Sequence, residues 1–168
     1  MKGDLSPIDL SILAQLQQDA KMSSADVAAG LSISVTPTWR RIKRLEDQGV
    51  IRAYRAELSA AHLGYGVEAF VTVNVSLHDE RGFQQFEAAV LSTEAIVSCH
   101  VISGMGDYLL RVITTDMESY ANFITRQANK LPGVKEIRSA MVLKALKEYK
   151  GLPLPGAMAS IKVESYGT

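Results

Sequence analysis

The sequence predicts an α+β protein in two parts: a small helical N-terminal part and a larger part built on an antiparallel sheet. Three observations carry that reading. Apolar side chains recur at helical spacing through the first 48 residues. The stretch 59–66, SAAHLGYG, is small, polar and glycine-containing, as a linker is. From Val67 the period changes to two, with Val67, Ala69, Val71, Val73, Val75 and Leu77 alternating with Glu68, Thr72, Asn74 and Ser76. With 168 residues, 47% of them hydrophobic, the chain is long enough to bury two cores. Its 18 Lys plus Arg balance 18 Asp plus Glu, which argues against a general nucleic-acid coat or a membrane-surface role but leaves room for a local basic site. A single cysteine, Cys99, excludes an intramolecular disulfide, and with the dispersed His62, His78 and His100 it leaves no zinc-ligand spacing, so no metal is expected. MKGDLSPID lacks the apolar stretch of a signal peptide and no run of 18 apolar residues follows, so a cytoplasmic protein is expected.

Ser6, Pro7 and Asp9 form a helix-start signal (cap, first-turn proline, acid at the third position), and Ile8, Leu10, Ile12, Leu13 and Leu16 follow with a broad apolar face. This first helix is predicted from about Pro7 to Asp19. DAKMSS turns the chain, Ser23 or Ser24 caps a short helix through Ala28 or Ala29, and GLSIS leads to the third. That third helix is predicted over Val35 to Gln48, with Ser34 as N-cap, Pro37 in the first turn and Gly49 as the C-terminal glycine. At about 100° per residue, Trp39, Ile42 and Leu45 make the buried stripe, while Thr36, Pro37, Arg40, Lys43 and Arg44 face outward with Arg41 on the flank. Six basic residues (Arg40, Arg41, Lys43, Arg44, Arg52, Arg55) lie against two acidic ones (Glu46, Asp47) between Trp39 and Arg55. Basic residues on the outer face of a helix are most often just a solvated surface; this local excess, in a chain of zero net charge, favours a nucleic-acid contact. Two helices joined by a short turn, the second basic, have helix-turn-helix spacing. VIRAYRAEL then reads as a short strand carrying Arg52 and Arg55, a wing beside that helix.

Beyond the linker, Val67 to Leu77 is a strand with one buried face, and Phe70 on its other face marks a contact with a partner. His78 to Ser92 reads as a helix with Phe83, Phe86, Ala89, Val90 and Leu91 on or near one face, Ala95 to Ser103 as a strand, GMGD as a tight turn, and Tyr108 to Thr114 as the returning strand. Asp116 caps a last helix with Tyr120, Phe123, Ile124, Ala128 and Leu131 as its stripe; Pro132 and Gly133 end it, and Val134 to Lys147 is a closing strand. The order β-α-β-β-α-β is that of a ferredoxin-like sandwich, with helices on one face of the sheet. In the closing segment Ile137, Met141, Leu143 and Ala145 alternate with Ala140, Val142 and Leu146, so both its faces are apolar, which predicts sheet-to-sheet packing in a homodimer or larger assembly. The expected organisation is a winged helix-turn-helix domain over 1–58, a linker over 59–66, a ferredoxin-like domain over 67–150 and a tail over 151–168.

LSPIDLSILAQLQQDAKMS, SVTPTWRRIKRLEDQGVIRAY followed by LG, SCHVISGMGDYLL and KLPGV, in this order over about residues 5–150, resemble the leucine-responsive/asparagine-regulator (Lrp/AsnC) family of bacterial and archaeal transcription factors. The resemblance implies an N-terminal winged helix-turn-helix that binds operator DNA, and a C-terminal domain that dimerises, assembles into rings that are often octamers, and binds an amino-acid effector. By position it puts the DNA-facing residues near Ser34, Thr36, Pro37, Thr38, Arg40, Arg41 and Arg44, beside the Lys43 selected from the helix itself. It puts an effector loop on Ser103, Gly104, Met105, Gly106, Asp107 and Tyr108, next to His100 and Ile102. Glycines there would let backbone amides approach a carboxylate, and Asp107 would accept hydrogen bonds from an α-ammonium group; GMGD is equally what a tight hairpin uses, with Asp107 stabilising the turn. Two departures from the family stand out: Gly106 where a bulkier residue is common, and Trp39 where a smaller apolar one is.

The expected function is therefore a sequence-specific DNA-binding regulator, not an enzyme, with no cofactor beyond an amino-acid effector, and with double-stranded DNA and copies of itself as partners. The alternatives are a non-specific architectural DNA-binding protein without an effector and a subunit like those of sirohaem decarboxylases, which share this fold. No nucleophile elbow, phosphate loop or metal cluster supports catalysis.

Overall fold

The computed structural model describes residues 5–76 and 79–155; Leu77, His78 and the tail from Gly156 lie outside the described residues. The described residues fall into two compact units, one containing Glu57 and the chain before it together with the segment from Lys147 onward, the other spanning Leu58–Leu146. None of their helices is long and apolar enough to cross a membrane.

The first unit holds α1 (Pro7–Gln18), α2 (Ser24–Leu31) and α3 (Val35–Asp47). Reciprocal capping boxes start α1, between Ser6 and Asp9, and α2, between Ser23 and Asp26. Each satisfies orphan amides at its helix terminus. Helix α2 runs two or three residues past its expected end and closes on Ser32 in the left-handed region (φ 55°). Three helices around Ile12, Leu16, Val27 and Leu45 make a small core. Residues 52–58 form no ladder with other described residues, so the expected wing strand is replaced by a segment without regular secondary structure. Tyr54 ties it to α3 by donating to Glu46 (2.9 Å). The returning C-terminal segment docks on α1: the Gln17 amide donates to Leu152 O (2.8 Å) and accepts from Leu152 N (2.9 Å). Gly151, at φ +118°, makes this approach possible, since a Cβ there would fall 2.1 Å from Gln17 Cδ.

The second unit is a four-stranded antiparallel sheet in the order β2-β3-β1-β4, from β1 (Val67–Val75), β2 (Ile96–Val101), β3 (Tyr108–Thr114) and β4 (Val134–Met141), with α4 (Glu80–Leu91) and α5 (Met117–Arg126) on one face. This is the expected βαββαβ order. Ala69, Val71 and Val73 of β1 are fully buried, facing Phe86 and Val90 of α4 and Tyr120 and Phe123 of α5. Phe83 and Leu91, expected on the buried stripe of α4, are exposed instead. The closing strand is shorter than expected because its partner runs out: Val142 N donates to Glu68 O, and the next amide of β1's lead-in, Gly66 N, is already given to Thr115 O. Leu143 and Leu146 consequently lie beyond the ladder, 97% and 87% exposed. The uncovered sheet face is mixed, since Phe70, opposite Arg111 and Ala140, is flanked by the ion pairs Arg111–Glu68 (2.6 Å) and Arg138–Glu136 (2.9 Å).

Candidate nucleic-acid interface and effector pocket

Helix α3 presents its outer face as expected for Ser34, Thr36, Pro37 and Arg40, all exposed. Ser34 sits at the N-cap, yet its side chain makes no capping hydrogen bond. Pro37 has no N–H, so the first-turn amides that the Ser34 side chain leaves uncapped are those of Val35 and Thr36, at the positive end of the helix dipole. Arg40 makes no hydrogen bond or ion pair among the described residues. Lys43, also exposed, is shared between Glu46 (3.4 Å) and Asp47 (3.5 Å), and these carboxylates, Asp47 first, raise its pKa.

The buried stripe of α3 is rotated by about one residue from expectation. Thr38 is fully buried, so it cannot face DNA, and Trp39 is 55% exposed. A threonine can occupy this core position because its hydroxyl donates to Ser34 O (2.8 Å), which hides its polar group inside the helix. With Thr38 turned in, Ile42 and Leu45 follow at four and seven positions on, and Trp39 moves to the flank. There it lines a cavity of about 290 Å³ with Leu16, Met22, Ile42 and Tyr54. Burial first, and the hydrogen bond to Glu46 second, push the Tyr54 phenol up to about 12, so it remains a donor at any physiological pH.

Arg41 and Arg44 do not project freely. Both donate to the same oxygen of Asp9, Oδ1, at 2.9 and 2.8 Å. The Asp9 side chain is only 2% exposed. Its other oxygen accepts from Ser6 N (3.0 Å) and Ser6 Oγ (2.7 Å). Burial alone would raise the carboxyl's pKa, but Ser6, Arg41 and Arg44 outweigh it and hold the group below its usual range. Because the folded value is depressed, this contribution to stability is complete above the unfolded pKa of about 4 and is lost as pH falls through the folded value. Acid titration of the N-terminal unit should therefore unfold wild type at lower pH than an Arg41→Ala, Arg44→Ala variant; coincident acid midpoints, followed by circular dichroism, would contradict the pairing. In the sequence Asp9 reads only as part of a cap, yet the side chains of both arginines converge on it. Its signal was present: Asp9, Ile12 and Leu16 are spaced as one buried stripe, so a charge lay on the face that meets a basic helix.

In the second unit the loop from Ile102 to Asp107 is closed by Ile102 N donating to Asp107 O (3.0 Å). Ser103, Gly104 and Met105 are exposed at its tip, with Gly104 at φ +120°. One Asp107 oxygen accepts from Val75 N (2.8 Å), so Asp107 does stabilise the hairpin against β1. The eight expected effector residues do not share one surface. His100 lies on the uncovered sheet face opposite Leu109, whereas the Tyr108 side chain is buried on the helix side, its ring 4.4 Å from that of Phe86. Gly106 is buried against Thr72. Ile102, Asp107 and Tyr108 instead join Val75, Phe83 and Val101 around a cavity of about 200 Å³. Sequence spacing missed those last three because they come from a strand end, an exposed helix flank and a sheet edge.

Residues 5–52 match a winged helix-turn-helix DNA-binding domain, and residues 68–152 match the Lrp/AsnC ligand binding domain. The leucine-responsive regulatory protein of Salmonella typhimurium is 36% identical over 145 residues, 86% of this chain and 88% of its own. The chain belongs to the Lrp/AsnC family. Among other Lrp/AsnC relatives, the Bkd operon transcriptional regulator of Pseudomonas aeruginosa is 34% identical over 90% of this chain and 99% of its own. A transcriptional regulator of Neisseria meningitidis, solved in complex with L-methionine, superposes with a TM-score of 0.86 at 32% identity, covering 90% of this chain and 97% of its own. An AsnC family regulator from Agrobacterium tumefaciens gives a TM-score of 0.83 at 33% identity, covering 89% and 97%. The protein is accordingly a DNA-binding transcriptional regulator of the Lrp/AsnC family with a ligand-binding domain, and not an enzyme; the decarboxylase alternative is set aside.

Proposed function

We propose that α3 enters the major groove with Ser34, Thr36, Pro37 and Arg40 toward the bases and its uncapped first turn toward a phosphate, and that an apolar amino acid acting at the Asp107 loop modulates this binding. The observation that carries the first half is the outward face of α3, where small hydroxyl side chains, the Val35 and Thr36 amides that the Ser34 side chain leaves uncapped, and Arg40, which has no hydrogen bond or ion pair among the described residues, lie together. A recognition helix in each half of a symmetric assembly then reads a two-fold site. Exposed Phe70, Leu143 and Leu146 support a homodimer, which higher rings such as octamers would extend. Such a regulator works where its DNA is, in the cytoplasm.

For the effector, the cavity walls Val75, Phe83, Val101, Ile102 and Tyr108 favour an apolar side chain, and Asp107 at its rim offers a carboxylate to the α-ammonium group. The complex of the Neisseria relative with L-methionine is in keeping with this class. Fluorescence anisotropy on the duplex just upstream of the protein's own gene tests both halves. Arg40→Ala should weaken binding about tenfold or more, and Thr36→Val should reduce discrimination between related sites, as expected when one good base contact is lost. Leucine or methionine should shift wild-type affinity or assembly. Asp107→Asn, which keeps an acceptor for Val75 N, should abolish that shift. Equal wild-type affinity for unrelated duplexes at matched salt would favour the architectural reading, and indifference to every amino acid would return the loop to a structural turn.

A further inference from the structure

Two positive side chains on a DNA-binding helix that share one buried negative group present an electrostatic puzzle. Asp9 brings a negative charge to the flank of the surface that meets phosphates, and it cancels half the positive charge of Arg41 and Arg44. On charge alone it weakens DNA binding. The geometry shows a compensating use. Each guanidinium spends one terminal nitrogen on Asp9 Oδ1, at 2.9 Å for Arg41 and 2.8 Å for Arg44, and a guanidinium has five N–H donors. Arg41 and Arg44 are three positions apart on α3, so their side chains lie side by side. They remain 32% and 47% exposed, leaving donors at the surface. The Asp9 carboxylate cannot shift to follow them, because Ser6 N and Ser6 Oγ grip its Oδ2.

We propose that Asp9 is a positioning residue for DNA recognition, mooring Arg41 and Arg44 as a preformed pair of guanidiniums that takes the phosphate backbone beside the base-reading face of α3. The inference rests on the DNA-binding reading above. A free arginine loses rotamer freedom when it engages a phosphate; a moored one has already lost it on folding, so less is lost on binding. The pair holds the register of the helix while Thr36 and Arg40 face the bases.

The sign of one substitution separates this from simple electrostatics. Asp9→Asn removes a negative charge from the interface and keeps an acceptor for Ser6 N, so a purely Coulombic role predicts tighter binding. Mooring predicts weaker binding, by about tenfold, for the folded protein measured by anisotropy on the same upstream duplex at fixed salt, with the folded fraction checked by circular dichroism. Within the Asp9→Asn background, Arg41→Ala and Arg44→Ala should each cost several-fold less affinity than they cost in wild type; a role confined to stability would leave those costs unchanged. Arg44→Lys keeps the charge and leaves Asp9 paired with Arg41, so it answers the question even where Asp9→Asn fails to fold. It should lose about fivefold in affinity, and wild-type binding by Arg44→Lys overturns the proposal. So does Asp9→Asn binding as tightly as wild type or tighter. If wild type itself binds no duplex, or Arg40→Ala is neutral, it is the placement of α3 on DNA that has failed.

Discussion

Leu45→Ala is expected to unfold the N-terminal unit and leave the sheet unit folded. Leu45 is fully buried at the point where α3 meets α1 and α2, and among the described residues its cluster contains just three other fully or nearly fully buried hydrophobic residues, Ile12, Leu16 and Val27. Truncating a buried leucine costs about 2–5 kcal/mol through lost transfer energy and the cavity left behind. A core this small supplies only about 3–5 kcal/mol of net stability, so one substitution consumes most of it. Differential scanning calorimetry should show the lower-melting transition lost and the upper one unmoved. Sequence-independent and sequence-specific DNA binding should vanish together, while sedimentation still reports the wild-type assembly. If both transitions move by the same amount, the two units unfold as one and the separation is wrong.

Gly106→Ala is expected to disrupt the hairpin end of the sheet, and Thr72→Ser to rescue it. A Cβ at residue 106 would lie 2.1 Å from Thr72 Cγ2, far inside van der Waals contact, with Asn74 Oδ1 at 3.6 Å. Either Thr72 leaves its rotamer or Asp107 is pulled from β1, where its carboxylate accepts from Val75 N and its amide donates to Val73 O. Overpacking of this kind costs about 1–3 kcal/mol. Serine at position 72 removes the offending methyl, so the double variant should recover most of the loss; a double-mutant cycle in urea reads the coupling directly. Response to leucine or methionine should follow the same pattern if the loop holds the effector. Additive losses would mean that the close approach of Gly106 and Thr72 carries no energy.

The period-two run from Val67, the capped helices and the glycine at position 49 were legible because each is a local signal whose meaning does not depend on the rest of the chain. The order of strands followed from them. Trp39 and Thr38 show where local reasoning fails. On a wheel, an indole outranks a hydroxyl for the core, but the Thr38 hydroxyl is satisfied by its own helix, and a polar group so satisfied buries at little cost. The wing failed as a strand because a ladder needs a partner, and the sequence of 52–58 cannot name one. The candidate DNA surface was partly legible in the same way: Thr36, Pro37 and Arg40 face outward as periodicity predicts, whereas the diversion of Arg41 and Arg44 to Asp9 spans more than 30 positions. The candidate effector cavity was least legible, since Val75, Phe83 and Val101 meet only through tertiary structure.

The clasp between Gln17 and Leu152 has a consequence for how this protein can be recombined. The chain leaves the N-terminal unit at Glu57 and re-enters it at Lys147, so the sheet unit is, in topological terms, an insertion within the other. A hybrid regulator made by a single splice near position 58 would pair α1 of one parent with the closing peptide of another. Unless the first parent supplies an amide side chain at 17 and the second a glycine at 151, both backbone hydrogen bonds of Leu152 are lost. Swapping DNA specificity between relatives therefore calls for two junctions, with the 147–155 peptide travelling alongside the helices it lies against.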